Sequence, residues 1–121
     1  MLNIFGSPLK PCSHDPLTGF QRNGCCDECK EDPGNHIICV EMNEEFLLFS
    51  RESENDLISP QLQIDFPGLL LGDRWCVSLA RWVEAKNAGL NPRVDLNATH
   101  QSVLKLVPFE ILKTCAVKEA S

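Results

Sequence analysis

The stretch HIICVEMNEEFLLFSRES, running from His36 to Ser53, decides the fold. Its first seven residues, His36 to Met42, form a short apolar run rich in β-branched side chains, which predicts a buried strand at the centre of a sheet. Asn43 then offers a helix N-cap, Glu44 and Glu45 sit where the helix dipole favours carboxylates, and Met42 can staple onto Leu47. A helix from Glu44 to about Ser53 follows, with Phe46, Leu47, Phe49 and Ser50 on its inner face.

Downstream, Pro60 and Pro67 make Leu57 to Gly72 an ordered loop with at most a short edge strand around Leu62 to Phe66. Asp73 as N-cap and Gly89 as C′ residue bracket a helix, and Trp75, Cys76, Leu79, Trp82 and Val83 fall on one of its stripes. Both tryptophans read as core rather than as a stacking platform. After Asn91-Pro92, Arg93 to Leu96 reads as a short strand, and Thr99 caps a helix over His100 to Lys105. Pro108 opens a last helix through Cys115, and Lys118 to Ser121 is expected to fray.

Upstream, only Leu2 to Phe5 looks strand-like, because prolines and glycines punctuate the chain from Gly6 to Gly34. The fold class is therefore α+β: a single domain over residues 1–121, with a short mixed sheet, three to four helices and a long irregular N-terminal segment.

A chain of 121 residues can bury one core without staples. With 17 acidic against 11 basic residues, a net charge of -6 and no two basic residues adjacent, it is poorly suited to nucleic acid or to an anionic membrane surface. Phosphate-binding glycine loops, a Gly-x-Ser-x-Gly elbow and a His-Glu-x-x-His helix are all missing from the sequence. No apolar run approaches a membrane span and the start lacks the features of a secretion signal, so the expected location is the cytoplasm. Oligomeric state is not encoded in any of these features.

Seven cysteines carry the chemistry, and five of them, Cys12, Cys25, Cys26, Cys29 and Cys39, lie in the first third with His14 and His36 interleaved. Cytosolic reductants and an odd count predict reduced thiols rather than a disulfide framework. Cys26-x-x-Cys29 followed by His36-x-x-Cys39 has the spacing of a zinc or iron site, with Cys12, Cys25 and His100 as replacement ligands. Strand geometry opposes the literal set, because residues three apart on a strand point to opposite faces. Thiol chemistry is the second candidate. Cys76 would lie near a helix N-terminus beside Arg74, where a thiol is acidified, and Cys25 and Cys26 sit in a loop led by Asn23-Gly24. His36 or His100 would then act as base.

Cys12, Ser13, Thr18, His36 and Thr99 are the candidate pocket residues, although Ser13, Thr18 and Asp15 are equally turn formers and Cys76 is equally core. Three functional readings result. One is a cysteine- and histidine-lined pocket for a small molecule or for thiol chemistry, favoured because distant polar and cysteine-bearing segments are most simply explained by one shared site. The others are a zinc- or iron-binding module, and a structural or interaction protein with buried reduced cysteines.

The motifs Gly6-Ser-Pro-Leu, Pro11-Cys-Ser, Thr18-Gly-Phe, Asn23-Gly-Cys-Cys, Phe66-Pro-Gly-Leu, Gly72-Asp-Arg-Trp-Cys and Ala98-Thr-His, with His36 and Cys39, span nearly the whole chain. Together they resemble the prokaryotic family known as domain of unknown function 2237. The resemblance implies a single-domain bacterial-type protein and no particular reaction. The family pattern often has another residue near Cys29 and a cysteine where this chain has Ser78, so a site requiring Cys29 would not be general to the family.

Overall fold

A computed structural model describes residues 1–64 and 66–117. The central strand β1, Ile38–Glu41, is flanked on both sides by antiparallel neighbours, β2 (Arg74–Val77) and β3 (Arg93–Val94), in the order β2-β1-β3. The sheet is antiparallel where a mixed one was expected, and among the described residues parallel pairing survives only as isolated bridges, Cys26 to Thr99 and Val94 to Ala116.

Helix α1, Glu44–Glu52, begins where the sequence places it, with the Asn43 side chain accepting the Phe46 N–H at 2.8 Å. The helix expected from Asp73 is different. Arg74–Val77 is strand β2, and α2 runs only over Leu79–Asn87, although it still ends just before Gly89. The physical reason is that Trp75, Cys76 and Val77 suit a pleated surface and find the open edge of β1 beside them. Asp73 closes a turn instead, its carboxylate accepting from Leu70 N–H at 2.9 Å.

The expected edge strand near Leu62 is a 3-10 turn, Leu62–Ile64, clasped by reciprocal backbone bonds between Gln61 and Phe66. In the later segment His100, not Thr99, caps the short helix Gln101–Lys105, and α3 covers Phe109–Thr114. The expectation of a frayed tail over Lys118 to Ser121 lies outside the described residues.

Alternation along the strands separates two cores. Ile38, Val40, Trp75 and Val77 face the main apolar core, where Phe46 and Leu47 of α1 meet Trp82 and Ala85 of α2. Both tryptophans are buried in it, as expected. Cys39 and Cys76 face the other way, into a smaller core formed with Cys12, Cys26 and Ala98. The irregular N-terminal segment covers that second face.

Candidate functional site: a buried four-cysteine centre

Cys39 and Cys76 are direct partners across β1 and β2. The Cys39 N–H goes to the Thr99 hydroxyl at 3.2 Å and its carbonyl accepts the Asp95 N–H at 2.9 Å, while the Cys76 N–H goes to the Thr18 hydroxyl at 2.9 Å. Because neither residue directs these groups at the other, the two form a non-hydrogen-bonded pair, the arrangement in which opposed side chains come closest.

Two loop cysteines complete the centre. Cys12 and Cys26 are brought together by Gly24, whose carbonyl accepts the N–H groups of Cys12 at 2.7 Å and Ser13 at 3.3 Å. Gly24 has φ +90°, and a Cβ there would meet the His14 ring at 2.6 Å, so the loop that presents Cys25 and Cys26 requires glycine. Disulfides join Cys12 to Cys39 and Cys26 to Cys76. This overturns the expectation of wholly reduced thiols: an odd count excludes complete pairing only, and Cys25, Cys29 and Cys115 are the three left free. The Cys12, Cys26 and Cys39 sulfurs all lie within 4.8 Å of one another and are buried.

The literal ligand set Cys26, Cys29, His36 and Cys39 is not assembled. Cys26 and Cys39 meet in the centre, but the Cys29 thiol bonds Glu31 at 3.0 Å and the His36 ring bonds Asp32 at 2.8 Å. The cause is backbone path, since β1 starts only at Ile38 and the turn before it carries His36 elsewhere. Cys76, a strand residue, also lacks the helix N-terminus that was to acidify it.

Of the other candidates, Thr18 and Thr99 are fully buried beside the centre, and Ser13 stays half-buried with its hydroxyl accepting from Asp15 N–H. His100 lies next to the centre: Thr99 bridges Cys26, and His100 Nε2 stands 3.7 Å from the Asp27 carboxylate. His100 Nδ1 accepts the Ser102 N–H at 3.1 Å, which leaves the Nε2 proton facing Asp27. Cys25 is half-buried outside the cluster, and its thiol pKa is raised by burial and then by Asp27. The Cys29 thiol is likewise raised, chiefly by its bond to Glu31. Neither is an activated nucleophile.

The sequence pattern of the family "uncharacterized protein conserved in bacteria (DUF2237)" matches residues 2–116. This chain belongs to that family. The match takes in every residue of the four-cysteine centre, so the centre is part of the family domain. A comparison with curated proteins finds no match. Among the described residues, no helix is long and apolar enough to cross a membrane.

Asp32 and Arg22 escaped the sequence reading. The signal for Asp32 was present in the turn Asp32-Pro33-Gly34-Asn35-His36, where an acidic residue stands four before a histidine.

Proposed function

We propose that this is a cytoplasmic metal-binding protein in which Cys12, Cys26, Cys39 and Cys76, when reduced, hold one zinc ion, and that the two disulfides are the oxidised, metal-free form of the same centre. The supporting observation is the convergence of three cysteine sulfurs within 4.8 Å, with Cys76 bonded to one of them. A tetrahedral zinc thiolate has Zn–S near 2.3 Å and therefore sulfurs about 3.8 Å apart, a spacing within that range. Burial of all four leaves no open coordination position, which favours a structural zinc or a tetrathiolate iron over a hydrolytic metal. Conversion between the forms removes four electrons from four thiolates, forms two S–S bonds and releases the ion. Two equivalents of a two-electron oxidant such as peroxide, itself reduced to water, balance the step. The acidic net charge of -6 supports a protein that engages neither nucleic acid nor an anionic membrane.

Elemental analysis of protein purified under reductant tests the reading. About one zinc per chain is expected, with cobalt substitution giving thiolate-to-cobalt absorption and peroxide releasing the metal. Metal-free protein that already carries both disulfides after expression in a reducing cytoplasm would overturn it and leave the bonds as staples for the N-terminal segment.

A further inference from the structure

Bordering the cysteine centre at Cys76, a cleft of about 550 Å³ runs along the outer side of β2, a volume suited to a small ligand. Trp75, Phe66 and Leu57 supply apolar wall, and Arg22, His36, Asn55, Gln61 and the Asp56 carboxylate, whose oxygen is occupied by the Ile58 and Ser59 N–H groups, supply polar groups. Phe66 and Trp75 meet edge to face with ring centres 5.2 Å apart.

Two of the polar groups are held in place by specific hydrogen bonds. Asp32 is 4% exposed and accepts hydrogen bonds from Gly34 N–H at 3.1 Å, His36 N–H at 2.8 Å and His36 Nδ1 at 2.8 Å. Burial alone would raise its pKa, but the bonds from His36 and Gly34 prevail and hold the carboxyl below its ordinary value. An ionised Asp32 only accepts, so Nδ1 carries a proton, and in the imidazole form of the ring Nε2 presents a free lone pair. The His36 side chain is 40% exposed, so a nearly buried carboxylate is orienting an accessible imidazole. Gly34 lies directly beneath that ring, where a Cβ would come within 2.6 Å of it.

Arg22 is the second fixed group. It has φ +54°, an uncommon conformation for a side-chain-bearing residue, and donates from Nη1 to the Gly19 carbonyl at 2.9 Å. Its guanidinium stands 5.1 Å from the centre of the Trp75 ring. The cleft thus combines an oriented cation, an aromatic wall and an oriented acceptor.

We propose that this cleft binds a small aromatic acid bearing a second hydrogen-bond donor, its carboxylate meeting Arg22, its ring reaching the edges of Trp75 and Phe66 that the core leaves uncovered, and its hydroxyl or ring N–H donating to His36 Nε2. Arg22 selects the anion, and His36 selects among anions.

Titration of the intact protein with 4-hydroxybenzoate, benzoate and benzylamine, followed by proton–nitrogen NMR, tests this. 4-Hydroxybenzoate should shift the Trp75 indole signal and leave that of core Trp82 in place. Benzoate should bind about fivefold more weakly for want of one hydrogen bond, and benzylamine, which has only Asp56 to pair with, should bind more weakly than either acid. Arg22→Gln should weaken both acids about tenfold. His36→Asn, whose amide can still donate to Asp32, should erase the preference for 4-hydroxybenzoate without changing benzoate affinity. The proposal fails if neither acid moves Trp75, if benzylamine binds as well as the acids, or if His36→Asn weakens both acids equally.

Discussion

Cys39 stands directly opposite Cys76 across β1 and β2, yet neither is bonded to the other: Cys39 is joined to Cys12 and Cys76 to Cys26. Each strand therefore fastens a separate loop of the irregular N-terminal segment to the same face of the sheet. That segment has few backbone ladders of its own, so its position depends on these attachments and on the buried hydroxyls of Thr18 and Thr99.

The two cross-links should differ in worth. Their separations are 27 residues for Cys12–Cys39 and 50 for Cys26–Cys76. Loop closure assigns them about 3.5 and about 4 kcal/mol of stabilisation in the oxidised protein. Urea unfolding of the paired serine variants, C12S/C39S and C26S/C76S, should show both losses, with the second at least as large. A much smaller loss from C26S/C76S would mean that the unfolded chain keeps Cys26 near Cys76 without the bond.

Thr99 is fully buried; its hydroxyl accepts the Cys39 N–H and donates to the Asp95 carbonyl at 2.9 Å. Thr99→Val preserves shape but strands the Cys39 N–H, while the Asp95 carbonyl keeps the Ala98 N–H at 3.1 Å, so chemical denaturation should report a loss of about 1–3 kcal/mol. Thr99→Ser keeps both bonds and should lose only about 1 kcal/mol, for one methyl.

Asp32 makes part of the stability acid-sensitive. Its folded-state pKa is depressed, so its contribution is complete above the unfolded value of about 4 and is lost as pH falls through the lower folded value. Thermal melts of Asp32→Asn and the parent should therefore converge as pH drops below about 4, with the parent more stable above it. A constant difference at all pH values would contradict the assignment.

Thiol reactivity follows from the three unpaired cysteines. In oxidised native protein, half-buried Cys25 and Cys29 should react with a disulfide reagent, and buried Cys115 only after unfolding. Because both accessible thiols are raised above their ordinary value, alkylation near pH 7.5 should be slower than for free cysteine and still climbing above about pH 8.5. A fast-reacting thiol at neutral pH would count against this.

The legible parts of the fold were those with local signals. The β1 run, the Asn43 cap, α1 and the end of α2 before Gly89 were all readable from neighbouring residues. The start of α2 is not legible locally because Trp75 and Cys76 fit a helical stripe as well as a strand, and only the free edge of β1 distinguishes the two. The literal metal set failed for a related reason. Close spacing between Cys26 and Cys29 says nothing of direction, and Cys29 turns to Glu31 at the surface.

By itself, then, the sequence determined an α+β domain with a cysteine-bearing central strand and a glycine- and proline-rich entry segment, because caps, turns and strand periodicity are local properties. Tertiary structure decided which sulfurs meet. Cys12, Cys26, Cys39 and Cys76 come from four separate stretches of chain, and their convergence depends on β2 pairing with β1 in the one register that sets Cys76 opposite Cys39. It likewise decided that Asp32 and His36 act as a pair, since the bond between them exists only once the turn over Gly34 has folded beneath the imidazole.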